Sequence, residues 1–115
     1  MTNDCIFCKI ATGAAPAERL YEDDRAVAFR DIHPQAPVHV LVIPRKHIPS
    51  VSKMEESDSD LVGHLVWVAR QVAAQEGIDE TGFRLVVNDG RDGNQTVGHL
   101  HVHVLGGRSL QWPPG

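Results

Sequence analysis

The chain has 115 residues, of which 42% are apolar and 23% charged, and its formal net charge is −4 at pH 7. This length predicts one domain, spanning residues 1–115, with a core of its own. The negative charge argues against a general affinity for nucleic-acid backbones or anionic membranes, and no signal peptide or membrane span is evident. The sequence therefore predicts a cytoplasmic protein.

The first half of the chain predicts one short helix and three strands. CIFCKIATG is typical of a short helix or turn, in which Ile6, Phe7 and Ile10 supply apolar anchors. RLYEDDRAVAFRD predicts a hairpin, with turn-forming residues at 22–24. APVHVLVIP, which is bounded by two prolines, predicts a third strand.

One long helix is predicted in SDSDLVGHLVWVARQVAAQEGI, because apolar residues recur there at spacings of four, three and four. The residues of this buried stripe are Leu61, Leu65, Val68 and Val72. Ser57 is the expected N-cap, with Asp60 completing a pair similar to a capping box, and Gly77 ends the helix. FRLVVND predicts a fourth strand and GHLHVHVLGG a fifth. These elements predict the α+β class, with a largely antiparallel five-stranded sheet, one long helix and one short helix.

Three histidines alternate with apolar residues in the last predicted strand: His99, His101 and His103. Successive side chains of a strand point to opposite faces, so the three imidazoles share one face. The outer two are about 13 Å apart along the backbone, which argues against one metal ion held by all three. A solvated surface face is one interpretation. Proton transfer and phosphate binding by imidazoles is the other.

Other polar residues are candidates for the same site. His39 lies in the middle of a strand, where it is either an isolated surface histidine or the hydrogen-bond partner of one of the three. NDGRDGNQTVG is rich in Gly, Asn and Asp, and could be a simple turn. Alternatively, its backbone amides, the Asn88 amide and the Thr96 hydroxyl could bind phosphate oxygens. Asp31 is either a turn former or a ligand for the two hydroxyls of a ribose.

These segments together resemble the histidine triad (HIT) nucleotide-binding family. HLHVHVL fits the family signature His-φ-His-φ-His-φ-φ, where φ is apolar. The resemblance extends over FCKI, YEDDRAVAFRDIHPQAPVHVLVIPRKHI, VVNDGRDGNQTVGHLHVHVLGGR and the terminal WPPG. The WPPG ending is typical of the purine nucleoside phosphoramidase branch. The resemblance implies a HIT-like fold and a homodimer with one continuous sheet. It also implies hydrolysis of the P–N bond of adenosine 5′-phosphoramidates to AMP and an amine, through a nucleotidyl-histidine and without a catalytic metal.

The resemblance also implies roles by position. The implied catalytic residues are His39, Thr96, His101 and His103. Among them His101 is the nucleophile, and His39 orients its imidazole. The α-phosphate is contacted by Asn88, Asn94, Gln95, Thr96 and His103. Asp31 holds the ribose and Ile32 contacts the nucleoside. The base pocket is lined by Ile6, Phe7, Ile10, Phe29 and Leu41. Thr96 stands where relatives often carry serine, and its extra methyl group could change the rate or the fit of the leaving group.

The cysteine pair of CIFC has C-x-x-C spacing. A thioredoxin-like redox pair is not favoured, because the chain lacks the βαβ pattern of that fold. Some bacterial-type relatives bind structural zinc through four positions that are all present here: Cys5, Cys8, His47 and His99. Two reduced, buried thiols are the alternative. If zinc holds His99, this histidine positions its strand and is not available for catalysis. No role is predicted for His33 or His64.

Three functions fit these residues. They are the phosphoramidase, a related enzyme that splits dinucleoside polyphosphates or transfers nucleotidyl groups, and a non-catalytic module that binds AMP or a protein partner. The QWPPG ending, by resemblance alone, favours the first over the second. The presence of His101 favours an enzyme, because a binding module needs no nucleophile. A protein built only around zinc would not explain His39, His101 or His103.

Overall fold

The computed structural model describes residues 4–115, so residues 1–3 of the predicted domain lie outside the described residues. The helices are α1 (Ile6–Thr12) and α2 (Ser59–Gln75), and two short 3-10 helices, Val51–Lys53 and Glu56–Asp58, precede α2. The strands are β1 (Arg19–Glu22), β2 (Ala26–Arg30), β3 (Val38–Pro44), β4 (Phe83–Val86) and β5 (Val102–Gly106). All neighbouring strands are antiparallel, in the order β1-β2-β3-β5-β4. The predicted α+β class and five-stranded antiparallel sheet are confirmed.

The sheet separates two apolar clusters, and the alternation along β3 shows how. Val40 and Val42 belong to the cluster under α2, whereas Leu41 and Ile43 belong to the cluster that includes residues of α1. The predicted stripe of α2 lies in the first cluster, with Leu61 partly buried and the other three residues fully buried. The two helices therefore cover opposite faces of the sheet. Neither helix of the described residues is long and apolar enough to cross a bilayer.

The predicted cap of the long helix at Ser57, with Asp60 completing the pair, is wrong. The capping box lies at the preceding 3-10 helix, where the Glu55 and Asp58 side chains each accept a hydrogen bond from the other's backbone. The buried Asp58 carboxylate also accepts a hydrogen bond from Lys46 Nζ at 2.6 Å. Because Asp58 has hydrogen-bond partners in both Glu55 and Lys46, the cap residue is Glu55, two residues before the predicted Ser57.

The fifth strand is shorter than GHLHVHVLGG. β5 begins at Val102, so only the last of the three histidines lies in the regular ladder. Before this point the chain leaves the ladder, and the Leu100 N–H donates to the carbonyl of Ile48 at 2.6 Å. The alternation of faces nevertheless continues, because Leu100 and Val102 lie in the cluster under α2. The imidazoles of His99 and His101 are buried beside a phenylalanine of α1.

The C-terminal end of α1 is held by two arginines. Arg19 donates a hydrogen bond to the carbonyl of Ile10, and Arg45 Nη1 donates to the carbonyl of Ala11 at 2.5 Å. These guanidinium groups satisfy carbonyls that a helix end leaves open, and their positive charge suits the helix dipole. Gly13 then ends the helix in the left-handed conformation, with φ at +86°. The helix is therefore fixed in place although it has only two turns.

Replacing Gly107 with alanine is expected to destabilise the protein by about 1–3 kcal/mol. Its φ is +91°, and an added Cβ would lie 2.9 Å from the Cβ of Pro37. Gly63→Ala is the matched control, because Gly63 is exposed on α2 and an added Cβ has nothing within 4 Å. Alanine there should stabilise the protein by up to about 1 kcal/mol. Urea unfolding measures both variants, and a stability of Gly107→Ala equal to that of the original protein would contradict the prediction.

Candidate functional site

Two adjoining cavities open on the α1 face of the sheet. The apolar cavity, of about 330 Å³, is lined mainly by apolar side chains, and its lining includes Ile6, Phe7, Ile10, Phe29, Ile32 and Leu41. The polar cavity, of about 360 Å³, is lined by polar side chains alone. Four residues line both cavities and form a shared wall: Asp31, His33, Thr96 and His103. The structure therefore brings together every residue predicted for the base pocket.

A cluster of two cysteines and two histidines lies next to the apolar cavity: Cys5, Cys8, His47 and His99. Their ligand atoms all lie within 4.8 Å of one another. Cys8 Sγ is 3.3 Å from His47 Nδ1 and 3.5 Å from His99 Nδ1, and the two Nδ1 atoms are 3.1 Å apart. Two sulfur and two nitrogen ligands converging in this way fit a closed, tetrahedral zinc site.

The hydrogen bonds of His99 also fit metal binding. This residue is fully buried, and its Nε2–H donates to the carbonyl of Pro44 at 2.8 Å. The proton on Nε2 leaves the lone pair on Nδ1, which is the atom that lies in the cluster. Burial lowers the pKa of His99 and so favours the neutral form that a metal ligand requires. The residues present therefore fit the ion that the resemblance implies.

His101 lies in the wall of the apolar cavity and is almost completely buried. Its Nδ1–H donates to the carbonyl of His99 at 2.7 Å. The Phe7 ring packs edge-on against the imidazole, with ring centroids 5.1 Å apart. The hydrogen bond assigns the proton to Nδ1, so Nε2 carries the lone pair. A positioned imidazole with this tautomer can act as a nucleophile.

His39 contacts His103 rather than His101. The backbone N–H of Gln35 donates to His39 Nδ1 at 3.0 Å, which assigns the proton of a neutral His39 to Nε2. This Nε2–H donates to His103 Nδ1 at 2.8 Å. His103 then carries its own proton on Nε2 and can donate a hydrogen bond to a ligand. The predicted bond between His39 and one of the three histidines is confirmed, but it is not made with the expected nucleophile.

Both members of this pair are neutral at pH 7. Burial lowers the pKa of His39, and burial together with the neighbouring imidazoles lowers the pKa of His103 to about 4. Asp31 Oδ2 lies 3.4 Å from His39 Nε2 and opposes the effect on both. Although Asp31, His39 and His103 could also surround an ion, the amide hydrogen of Gln35 assigns a proton to the nitrogen that would have to bind it. A chain of hydrogen bonds explains this second cluster.

Asp31 makes the contact of a turn former, and it also lines both cavities. Its Oδ1 accepts a hydrogen bond from the His33 N–H at 2.9 Å, which is the contact of a turn former. The same carboxylate lies in the shared wall of the two cavities. It is therefore fixed by the turn and also accessible to a ligand.

Gln95 holds the loop between β4 and β5 together. Its Nε2 donates to the carbonyls of Pro49 and Val97, at 2.8 and 2.9 Å, and its Oε1 accepts from the Gly90 N–H at 3.0 Å. Gln95 is in the lining of neither cavity of the described residues. Its side-chain amide therefore positions the loop, and the expected contact with phosphate is left to its neighbours.

The other loop residues expected at a phosphate lie at the cavities. Asn88 and Asn94 line the polar cavity, and Thr96 lies in the shared wall. Asn88 Nδ2 donates to the carbonyl of Gly93 at 2.7 Å, so one amide hydrogen is used within the loop. Asn94 has a left-handed backbone, with φ at +60°, which asparagine tolerates better than most residues.

Sequence reasoning missed six residues that line the two cavities: Pro16, Ala17, Arg30, His33, Gln35 and Val97. His33 had no predicted role, yet it lies in the shared wall of the two cavities. Its position two residues after Asp31, in a turn that directs both residues to one side, was the available signal. His64, the other histidine without a predicted role, stacks on Trp67 and contacts Asp23 at 2.6 Å, outside both cavities.

Comparison with known proteins decides the family. The family model described as the HIT domain matches residues 12–110. The chain belongs to the HIT family. A HIT-like protein of Synechococcus elongatus is 52% identical over 115 residues, which is 100% of both chains. The family resemblance found in the sequence is therefore confirmed.

Solved HIT structures have the same fold. The HIT family hydrolase from Legionella pneumophila Philadelphia 1 has a TM-score of 0.95 and 48% identity, over 97% of this chain and 100% of its own. A Zn-bound histidine triad family protein from Mycobacterium smegmatis has a TM-score of 0.79 and 35% identity, over 91% of this chain and 76% of its own. The predicted HIT-like fold is confirmed by both.

The HIT protein is expected to lose stability as the pH falls from about 6.5 towards 4. The pKa of His103 is about 4 in the folded protein and roughly 6.5 in an unfolded chain. As the pH falls, the unfolded state therefore takes up the proton at a higher pH than the folded state does. The resulting loss in the free energy of unfolding is of the order of 1 kcal/mol near pH 5. Thermal unfolding at several pH values should show a shallower decline for His103→Gln than for the original protein. His33→Gln, at an exposed imidazole, is the control, and equal slopes for His103→Gln and the original protein would contradict the prediction.

Proposed function

We propose that this HIT protein is a hydrolase that cleaves the P–N bond of adenosine (purine) 5′-phosphoramidates and releases AMP and an amine. The observation that carries the proposal is the His101 imidazole, whose Nδ1–H is bonded to a backbone carbonyl while Nε2 is left for attack at the cavity. The similarity to the Legionella pneumophila HIT family hydrolase supports a hydrolytic reaction.

The two cavities fit the parts of such a substrate. The apolar cavity, with Phe7 and Phe29 in its wall, suits a purine base. Asp31, in the shared wall, is positioned to accept hydrogen bonds from the ribose hydroxyls. The α-phosphate then lies between His101 and His103, whose ring centroids are 4.9 Å apart.

The reaction proceeds in two steps. His101 Nε2 attacks phosphorus, the new P–N bond to the imidazole forms, and the bond to the amine breaks as its nitrogen takes up a proton from solvent. The water that attacks in the second step returns this proton. Water then attacks the nucleotidyl-histidine, which releases AMP and restores the imidazole. His103 Nε2–H, together with Asn88 and Thr96 of the loop, donates hydrogen bonds to the phosphoryl oxygens. His39 acts through His103, as the residue that holds it in the donor tautomer.

The charges at the site favour a phosphoramidate over a dinucleoside polyphosphate. In the described residues, Arg30 is the one lysine or arginine that lines either cavity. Its guanidinium group is already paired with Glu18 at 2.7 Å and Glu76 at 2.6 Å. A chain of anionic phosphates would find no free cation there. A binding module without catalysis is disfavoured because it needs no nucleophile of fixed tautomer.

Replacing His101 with alanine or glycine is expected to lower kcat/KM for a fluorogenic adenosine phosphoramidate by about a thousandfold or more, because the nucleophile is lost. His64→Gln, outside both cavities, should retain the original activity. Mass spectrometry of the quenched original enzyme should detect the nucleotidyl adduct. Unchanged turnover in either His101 variant would remove the nucleophile, and failure of the original enzyme to hydrolyse the phosphoramidate would overturn the function.

We also propose that the four-residue cluster binds structural zinc. The spacing of its sulfur and nitrogen atoms supports this, as does the Zn-bound relative from Mycobacterium smegmatis. When bound, the ion supplies a crosslink that joins α1 to the segments holding His47 and His99, and it takes no part in the reaction. The thiols must be reduced to bind it, which fits a cytoplasmic protein.

Protein purified without chelator is expected to contain about one zinc ion per chain, measured by elemental analysis. Cys8→Ser should lower the zinc content and the melting temperature, because the site loses a thiolate ligand. His33→Gln, at an exposed imidazole outside the cluster, should keep both. Absence of zinc from the original protein, even after incubation with zinc, would refute the site.

The edge of the sheet supports the homodimer that the resemblance implies. β4 is an edge strand, and Phe83 at its start and Val87 just after its end are exposed apolar residues. An exposed edge with apolar side chains is a site for pairing with another strand. We propose that two copies pair through β4, which would continue the sheet across the dimer.

A further inference from the structure

We propose that Asp89 is a positioning residue for the phosphate loop, defined here as residues 88–96. Its carboxylate fastens this loop to residues 48–52, which we call the platform segment, and so sets the position of the Asn88 amide. The inference rests on the phosphate-binding part of the proposed function, in which Asn88 donates a hydrogen bond to a phosphoryl oxygen. Asp89 itself is in the lining of neither cavity, so it acts through its neighbour.

The first argument is the pair of hydrogen bonds that Asp89 accepts. Its Oδ2 accepts from the backbone N–H of Ser52 at 2.7 Å, and its Oδ1 accepts from the Ser52 hydroxyl at 3.2 Å. The two residues are 37 positions apart in the sequence, so these bonds are tertiary contacts. Hydrogen bonds to an ionised acceptor are about twice as strong as those between neutral groups. Two of them, made to one residue, fix both the position and the orientation of the carboxylate.

The second argument is that the platform segment holds the loop at both ends. Asp89 is near the start of the loop, and near its end Gln95 Nε2 donates to the carbonyl of Pro49 at 2.8 Å. Just beyond the loop, the Leu100 N–H donates to the carbonyl of Ile48 at 2.6 Å. The contacts therefore run in opposite directions along the two segments, as in an antiparallel pair. Loss of the contact at Asp89 would release the first half of the loop, while Gln95 would keep the second half in place.

The third argument is that the first half of the loop carries the Asn88 amide. Asn88 precedes Asp89 in the chain and lines the polar cavity. Its Nδ2 donates to the carbonyl of Gly93 at 2.7 Å. Gly93 packs closely on the Asp89 backbone, because an added Cβ would lie 2.8 Å from the Asp89 nitrogen. The position of Asp89 therefore determines both the direction of the Asn88 side chain and the location of the carbonyl that it binds.

The charge of Asp89 allows positioning to be separated from electrostatics. A carboxylate that acted on the phosphate by charge alone would repel it, so removal of the charge would tighten the binding of an anion. A positioning role predicts weaker binding for alanine, because the loop loses its attachment. Asparagine distinguishes the two roles, since it has no charge but keeps an acceptor oxygen for the Ser52 N–H.

Calorimetric titration of the protein with AMP and with adenosine tests the proposal. Asp89→Ala should raise the Kd of AMP about threefold to tenfold and leave the Kd of adenosine unchanged, because adenosine has no phosphate. Asp89→Asn should keep the Kd of AMP within about twofold of the original value. Asp92→Ala is the matched control and should change neither Kd. Asp92 is in the same loop, and its exposed carboxylate pairs with the neighbouring Arg91 at 3.1 Å.

Three results would overturn the proposal. An equal rise in Kd for AMP and adenosine in Asp89→Ala would show a general structural role. Tighter AMP binding in both Asp89 variants would show that the carboxylate acts by repulsion. An unchanged Kd of AMP in Asp89→Ala, or no binding of AMP by the original protein, would remove the role altogether. Ser52→Ala loses only the hydroxyl bond, so it should raise the Kd of AMP less than Asp89→Ala does, and a larger rise would contradict the assignment.

Binding of AMP also separates this proposal from the proposed function, because it requires no turnover. If the original protein hydrolyses no phosphoramidate but the affinities for AMP and adenosine respond as expected, the proposed reaction fails and the positioning role stands. If the phosphoramidate is hydrolysed while Asp89→Ala binds AMP as the original protein does, the positioning role fails and the reaction stands.

Discussion

The hydrogen bond from His101 Nδ1 to the carbonyl of His99 is the contact on which the site depends. It decides which nitrogen of the buried imidazole is protonated, and so leaves the other one for chemistry. Backbone groups act in the same way on the other buried histidines, through the carbonyl of Pro44 and the amide of Gln35. Because these partners belong to the main chain, the protonation pattern is a property of the fold.

His99 links the two centres of the molecule. Its carbonyl positions the His101 ring, while its own imidazole belongs to the cysteine–histidine cluster. On the other side, His39 supports His103 through a bond of 2.8 Å. In the described residues, no buried side-chain nitrogen or oxygen lacks a hydrogen-bond partner. Five of the seven histidines thus lie in two connected groups, one suited to a metal and one to a phosphate.

Sequence periodicity was sufficient for the sheet and the long helix, because both depend on local alternation of apolar residues. The cap at Glu55 and Asp58 was not predictable, since it depends on Lys46 and on a 3-10 turn that has no periodic signal. The hydrogen-bond partner of His39, which is His103, was not predictable either. It follows from the register between β3 and β5, in which Leu41 lies opposite His103.

The same distinction holds for the candidate site. Some of its features follow from the local sequence, and others depend on tertiary contacts. The family resemblance pointed to the four residues of the cluster, which the structure brings together. It also pointed to His101 and to the loop before it, which are the proposed nucleophile and the proposed phosphate loop. The commitment of Gln95 to three backbone groups appears only when the loop closes on Pro49. The position of His33 likewise requires the cavities themselves, which form between elements that are distant in sequence.

The strict alternation along β3 gives the sheet two faces of different composition. Val40 and Val42 belong to the apolar cluster beneath α2, whereas Leu41 and His39 line the cavities on the other face. Substitutions in the cluster beneath α2 would change the stability of the protein towards heat or denaturant. They would have little effect on the proposed chemistry. Substitutions on the α2 face of the sheet could therefore raise the stability of the protein. Substitutions on the other face could change the proposed substrate preference.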